Sequence, residues 1–519
     1  MSSEIEPVHY EAPQPVDNEE YDTTVPEPRR EKLTASQVLM VVWSGIALAS
    51  DGYNSQALGS ARAMFAVMYG DGPSSPYTVM KGRFSTAYYV GLCLGSLSFG
   101  MLIDHFSRKA GVVLATCIMI IGVALCTGSW AITPQMMFWM LTVSRGILGF
   151  GAGGEYPVCS TGATEAGDET SSVRKWRGLI VGLVGCTAID IGIVFGGVLP
   201  LAILAGFGYT STTPDTASMH LEASWRITLG LGCIIPATVF FFRYRMATSS
   251  AFKNHSMTKG MSLRVYFLVL KKYWRRLLGT CLTWFLYDFV AYPFGLFTPT
   301  IIQGLPGNSD NLIISIGYSA VINAFLIPGC ILGSLSLDKF GRRNVMALGF
   351  FAQSVVAFVL AGALVQIQSI FPLFIVIYGI MLSLGEYGPG VTTLLVSSEC
   401  FPTAFRGHFV GLSASVAKAG AAVGTVVFDS IQSSYVDETE GLRVSVFVGA
   451  GLSILGAIVT FLCIPGDHDR NLQKEDLEFR QFLAEHGLPE DTFDEPKVYH
   501  ADSFDTYMGP HDSKEMNYA

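Results

Sequence analysis

The sequence predicts an all-α polytopic membrane protein, with twelve transmembrane helices in two six-helix halves. Three observations carry this. The 519 residues are 50% hydrophobic and 14% charged, against about 25% charged in soluble proteins. Apolar segments long enough to cross a bilayer recur along the chain. Two polar motifs appear at corresponding places in both halves.

The apolar segments lie at roughly 38–58, 84–103, 111–126, 135–155, 178–204 and 225–242, then 277–302, 314–337, 345–366, 370–395, 407–428 and 444–464. They divide the chain into an acidic N-terminal tail (1–35), a first half (36–243), a central cytoplasmic loop (244–276), a second half (277–464) and an acidic C-terminal tail (465–519). The net charge of −9 belongs to the tails. Residues 1–35 hold 9 acids and 3 bases, and residues 465–519 hold 14 and 5, which leaves +6 on the membrane domain. Such tails read as disordered and solvated.

The bases concentrate on alternate loops, at Arg108-Lys109, Arg174–Arg177, the 243–276 segment, Arg342-Arg343 and Arg406. The positive-inside bias places these loops and both tails in the cytoplasm. A plasma-membrane protein is the expectation. The sequon Asn254-His255-Ser256 then faces the cytoplasm and should stay unglycosylated. The acidic N-terminus has no signal-peptide layout, so insertion is expected to rely on the first span.

Ten cysteines lie mostly in apolar segments without paired spacing. They read as small buried residues, not as a disulfide or metal framework. No H-E-x-x-H, G-x-S-x-G or phosphate-cradling G-x-x-x-x-G-K-[ST] occurs, and no basic aromatic face suggests nucleic acid. An enzyme is not expected, nor is a cofactor or metal.

The two halves repeat. Gly100-Met-Leu-Ile-Asp104-His105-Phe-Ser107-Arg108-Lys109 follows the second span, and Ser334-Leu-Ser-Leu-Asp338-Lys339-Phe-Gly341-Arg342-Arg343 follows the eighth. Both fit G-x-x-x-D-[RK]-x-G-R-[RK] with departures at His105, Ser107 and Ser334. Glu165 and Arg177-Gly178, after the fourth span, echo Glu399…Arg406-Gly407 after the tenth. An Asp or Glu at a helix end beside Arg on the next turn can latch one conformation and release in another. Asp104, Arg108, Asp338, Arg342, Glu399 and Arg406 are therefore gating candidates. Topology signalling by positive charge is the plainer reading, and for the arginines both roles coexist.

The seventh span holds Trp284, Asp288 and Tyr292, spaced four apart and so on one helix face. An ionised Asp in hydrocarbon costs about 2.5–3.5 kcal/mol on the most lenient scale. Asp288 should therefore face a bundle interior or wet cavity. A packing hydrogen bond is the competing reading, as core packing is for the two aromatics.

These features resemble the major facilitator superfamily over essentially all of 38–464. The resemblance implies two halves rocking about a midplane site. On the fourth span, Arg145-Gly-Ile-Leu-Gly149-Phe-Gly151-Ala-Gly153-Gly154-Glu155-Tyr156-Pro157 is similar to a signature of proton–phosphate symporters and of fungal glycerophosphodiester permeases. Its glycine ladder would let a neighbouring backbone approach closely.

The resemblance assigns substrate and proton ligands to Trp284, Asp288 and Tyr292, and places that group's other polar residues at Asp51, Glu155, Tyr156 and Lys418. Arg145 is expected on the cytosolic half of its helix, in a structural or proton-coupling role. Two positions depart. Gly390, in Gly388-Pro389-Gly390, stands where phosphate carriers have an Asn, and the fifth span offers Asp190 near the place of a Gln. Gly390 is expected to open room for a bulky phosphodiester, and Asp190 to join the proton route. This pattern looks more like glycerophosphoinositol and glycerophosphocholine permeases.

The expectation is a monomeric importer of a phosphate-containing anion, a glycerophosphodiester and/or inorganic phosphate. It would be driven by the proton gradient, with substrate at Tyr156, Trp284, Asp288, Tyr292, Lys418 and Gly390, and protons on Asp51, Glu155, Asp190 and Asp288. A carrier of another organic anion and a nutrient sensor signalling through the tails are the alternatives.

Overall fold

A computed structural model describes residues 35–70, 72, 74–103, 108–168, 176–210, 220–245, 263–303, 311–466 and 472–486. Asp104, the side chains of Arg108 and Glu165, the sequon and most of both tails lie outside them. Every regular element among the described residues is helical.

The first half comprises α1 (Ala35–Tyr69), α2 (Pro76–Ile103), α3 (Arg108–Thr127), α4 (Pro134–Asp168) and α5 (Arg177–Gly206). Its sixth helix, α6, comes in two pieces, Leu221–Leu231 and Ile234–Arg245. The second half comprises α7 (Leu263–Gln303), α8 (Leu312–Phe340), α9 (Arg342–Gly362), α10 (Phe371–Glu399), α11 (Arg406–Ser434) and α12 (Glu438–Cys463). A further helix, α13 (Leu472–Glu485), follows.

Nine of the described helices are long and apolar enough to cross a membrane. The other three long ones, α1, α2 and α4, do not meet that measure, and all three carry buried polar residues. On α1 these include Asp51, Asn54, Gln56 and Arg62, all buried. Polarity concentrated inside a bundle marks where a pathway runs.

The halves meet along α2–α11 and α5–α8. These two seams correspond under the internal repeat, since α8 repeats α2 and α11 repeats α5. At the first seam a Cβ on Gly100 would sit 2.7 Å from the Gly411 Cα, so only glycine permits this approach. The α4 ladder works the same way. Side chains at Gly149 and Gly153 would strike the carbonyls of Tyr88 and Leu92 on α2, and one at Gly151 would meet the α3 backbone.

Two boundaries differ from the sequence expectation. α7 begins at Leu263, so the last part of the expected central loop is helix. The C-terminal tail contributes α13, which is docked instead of solvated. Glu475 accepts from the Tyr273 hydroxyl at 2.9 Å and pairs with Arg276 at 2.8 Å. Asp476 accepts from the Thr403 backbone N–H and hydroxyl, both at 2.7 Å. Phe479 is buried against Tyr273 and Phe405. Its acids thus answer donors that the membrane domain presents, which overall tail composition hides.

Candidate functional site

Between the halves lies a cavity walled on one side by α7, which supplies Trp284, Tyr287, Asp288, Ala291 and Tyr292. The four-residue spacing does place Trp284, Asp288 and Tyr292 on one face. Lys418 of α11 projects into the same wall. Its Nζ is 2.9 Å from Asp288 Oδ2 and donates to the Tyr292 hydroxyl at 2.5 Å. It also lies 4.4 Å from the Tyr156 ring centroid and 4.2 Å from that of Tyr292. Lys418 and Asp288 are each 1% exposed. The cation is thus caged by one carboxylate and aromatic faces, and its attraction to those faces strengthens as water is excluded.

From this cage a hydrogen-bonded chain crosses into the first half. The Tyr156 and Tyr292 hydroxyls are 3.2 Å apart. Tyr156 donates to Asp51 Oδ2 at 2.5 Å, and Tyr88 donates to Asp51 Oδ1. Asp51 therefore sits behind Tyr156. Arg145 lies over the Tyr88 ring at 4.0 Å and donates to the Asn54 carbonyl at 2.9 Å. That corrects its expected place. α4 enters from the end opposite the basic loops, so Arg145 lies on the half of α4 away from those loops.

Glu155 also departs from expectation. It turns toward α3, where Thr116 Oγ1 donates at 2.9 Å, and it does not line the cavity. Consecutive helical residues point about 100° apart, so Tyr156 and Glu155 cannot share a face. Asp190 does line the cavity, buried on α5, with Oδ2 unpartnered.

Gly390 requires the largest revision. It lines the cavity but opens no room for a ligand. A Cβ there would collide with Glu386 Oε2 and lie 3.0 Å from the Tyr287 hydroxyl. The missing side chain makes space for Glu386, which accepts from the Tyr287 hydroxyl and has Cys186 Sγ 3.5 Å from its Oε2. Two π-helical turns, Gly182–Thr187 on α5 and Glu386–Gly390 on α10, face each other here. Cys186 Sγ bridges them by donating to the Gly390 carbonyl at 3.0 Å. Such turns recur at functional sites because they displace side chains from the regular helical register.

Glu386 was missed, although it carries the same signal as Asp288, an acid inside an apolar span. Asn323 of α8 was missed too. It is fully buried against the cavity, and neither amide atom has a partner. Cys186, Cys330 and Glu386 hold potential ligand atoms within 4.8 Å of one another. Here the thiols instead serve as hydrogen-bond partners of Gly390, Glu386 and Thr187.

At the basic-loop end, Arg177 of α5 pairs with Glu399 of α10 at 2.7 Å, and Arg342 pairs with Glu399 at 3.2 Å and Asp338 at 3.1 Å. Asp338 also accepts from the Gly178 and Leu179 N–H groups at the start of α5, at 3.1 and 2.9 Å. An acid suits the donors of a helix N-terminus. Gly341 takes φ 82°, which lets α8 turn into α9 and bring Arg342 under this cluster. Arg406 is buried at the start of α11, with Nη2 3.5 Å from the Phe401 carbonyl. Arg177 supplies the arm between the halves. In the sequence it stood only as an echo of Arg406.

The profile of a family described as "Sugar (and other) transporter" matches residues 38–255 and 245–479. The chain belongs to the sugar (and other) transporter family. It is a membrane transporter, spanning the bilayer many times, and not an enzyme. It is 35% identical over 467 residues to glycerophosphoinositol permease 1 of Candida albicans, covering 89% of this chain and 85% of the relative. It is 35% identical over 450 residues to glycerophosphoinositol transporter 1 of Saccharomyces cerevisiae, covering 87% and 83%. A more distant likeness is the inorganic phosphate transporter PT2 of Toxoplasma gondii, 28% identical over 381 residues, covering 72% and 63%. Among solved structures, the proton:xylose symporter XylE superposes with a TM-score of 0.68 at 15% identity, covering 86% of this transporter and 99% of XylE. That likeness concerns the fold.

Proposed function

We propose that this transporter imports a phosphate-containing small anion together with protons, by alternating access, and that its cargo is a glycerophosphodiester and/or inorganic phosphate. The observation that carries this reading is the Lys418–Asp288 pair on the cavity wall. Lys418 supplies a compact positive donor for a phosphoryl oxygen. Asp288 competes with that oxygen for the same ammonium. A proton on Asp288 weakens the pair and frees Lys418 for substrate, while loss of the proton lets Asp288 reclaim Lys418 and expel the anion. Proton and anion therefore travel together. Tyr156 and Tyr292 add hydroxyl donors, and Asp51, joined to Tyr156, is the second proton carrier.

Two features favour a phosphodiester over bare phosphate. The cavity extends from Lys418 to Asn323, whose amide lacks partners, and to the free Oδ2 of Asp190. Buried polar atoms left unpaired cost about 1–3 kcal/mol each, and hydroxyls of a polar head group would satisfy them. The relatives named as glycerophosphoinositol carriers point the same way. The basic loops favour cytoplasmic termini, and a plasma-membrane site and a monomeric unit complete the reading.

The test is proton-driven uptake of labelled phosphate, glycerophosphoinositol, glycerophosphocholine and a carboxylate panel, with Asp288→Asn beside the wild type. Glycerophosphodiester uptake that collapses in the variant is expected. Undiminished pH-driven accumulation in Asp288→Asn would sink the coupling scheme. Competition by carboxylates, and not by glycerophosphodiesters, would overturn the substrate class.

A further inference from the structure

Four described arginines are at most 2% exposed: Arg62, Arg145, Arg177 and Arg406. Arg177 has Glu399, and Arg145 lies over Tyr88, the donor to Asp51. Arg62 differs. Its Nη1 donates to Ser85 Oγ at 2.9 Å, its guanidinium carbon lies 4.5 Å from the Phe297 ring centroid, and its Nε is buried without a partner. No carboxylate among the described residues pairs with it. A buried cation left without a counter-charge costs several kcal/mol, and inside a membrane domain such a residue is functional by default.

The position of Arg62 suggests what the missing counter-charge is. On α1, Ser55 and Gln56 line the cavity, and on α7, Leu296 does. One step outward, a Cβ on Gly59 would lie 3.0 Å from the Leu296 carbonyl, so α1 and α7 nearly touch there. The next step outward is Arg62 under Phe297. Arg62 therefore stands just beyond the roof of the cavity, at the end opposite the basic loops, about three helical turns past Asp51.

The two partners of Arg62 belong to different halves. Ser85 is on α2 of the first half, and would stay with Arg62 through any rocking motion. Phe297 is on α7 and stacks parallel to Phe428 of α11 at 6.0 Å, so it would move with the second half. When the halves part at this end, Phe297 withdraws and leaves an oriented, uncompensated guanidinium at the cavity mouth.

We propose that Arg62 is an anion-docking site at the outer gate. It takes the phosphoryl group of an entering phosphodiester, which then passes inward to Lys418. On closure the Phe297 ring replaces the departing anion as the partner of the guanidinium. This proposal rests on the anion-transport reading above. The planar fork of a guanidinium matches two phosphoryl oxygens, and the unpartnered Nε leaves an edge of that fork available.

The experiment is uptake into proteoliposomes by the purified full chain, with thermal melting measured in parallel. Arg62→Gln should raise KM for external glycerophosphoinositol about tenfold, the loss of one charge-assisted contact, with maximal rate within about twofold. Arg62→Lys, which keeps the charge but loses the planar fork, should raise KM by a smaller factor than Arg62→Gln. Ser85→Ala, which leaves the charge but removes its orienting partner, should raise KM by a smaller factor. An unchanged KM in Arg62→Gln overturns the proposal. So does equal loss of maximal rate in Arg62→Gln and Arg62→Lys with a lowered melting temperature, since that assigns Arg62 to packing. Should Arg62→Gln fail to fold, an unchanged KM in both Arg62→Lys and Ser85→Ala decides against docking. If the wild type carries a carboxylate and no phosphodiester, the same KM shift on that anion upholds Arg62 and overturns the phosphate reading alone.

Discussion

Lys418 stands where both the driving ion and the cargo can act on it. Its ammonium is shared between Asp288 and Tyr292, and Tyr292 leads through Tyr156 to Asp51 in the other half. Lys418→Ala should leave Asp288 as a buried carboxylate without its cation. Removing one partner of a buried pair costs about 3–5 kcal/mol. We expect uptake lost and the melting temperature lowered. In Asp288→Asn/Lys418→Ala, melting should recover toward wild type while uptake stays absent; a double variant no more stable than Lys418→Ala would contradict the pairing energetics. Gly390 makes a second prediction. Ala in its place pushes against Glu386 and Tyr287, an overpacking that typically costs about 1–3 kcal/mol. Uptake of phosphate and of phosphodiesters should fall together. Selective loss of the larger substrate would instead restore Gly390 to the role of volume gatekeeper.

At the level of elements, backbone contact between helices holds the site in place. Gly149 meets the Tyr88 carbonyl, and Tyr88 donates to Asp51. Gly149→Ala must therefore move α2 against α4, because a carbonyl cannot rotate aside as a side chain can. A stability loss of about 1–3 kcal/mol and reduced uptake are expected, with melting and transport assays as the readouts. Unaltered melting would show that the seam can slide. The facing π turns on α5 and α10 illustrate the reverse case. They leave the regular helix so that Cys186 and Glu386 can meet across the halves. Pro389 foreshadows such a break, since proline lacks the N–H for a helical bond. Nothing local on α5 does so.

For the whole molecule, contacts between the halves lie beyond both ends of the cavity. At the basic-loop end Glu399 holds Arg177 and Arg342. Glu399→Gln keeps the shape and removes the charge. It should favour states open at this end, so that a cysteine placed at Ser398, bonded at 2.7 Å to Thr164 across the seam, reacts faster with soluble thiol reagents. No change in labelling would mean that the latch carries little of the closure. The α13 helix binds only second-half elements, α7 and the turn Thr403–Phe405 before α11, among the contacts described. Asp476→Ala removes two hydrogen bonds to Thr403, and should cost about 1–3 kcal/mol of stability while sparing substrate affinity. Truncation after Glu485 should spare uptake, which would disfavour a sensor signalling through the tail; loss of uptake would show that transport itself needs the tail.

The order of the helices, the duplication, and the Trp284–Asp288–Tyr292 face were legible because periodicity and charge are local properties. A carboxylate in an apolar span announces itself whatever lies opposite. Partners do not. That Asp288 faces Lys418, that Glu155 turns to α3, and that Gly390 shelters Glu386 follow from how helices distant in sequence rotate against one another. Arg62 shows the limit most directly. The first apolar segment ends near residue 58, while α1 continues to Tyr69. Polar residues mark the end of an apolar run, but a helix buried among others can carry them further, so burial, which tertiary packing decides, made Arg62 part of the pathway.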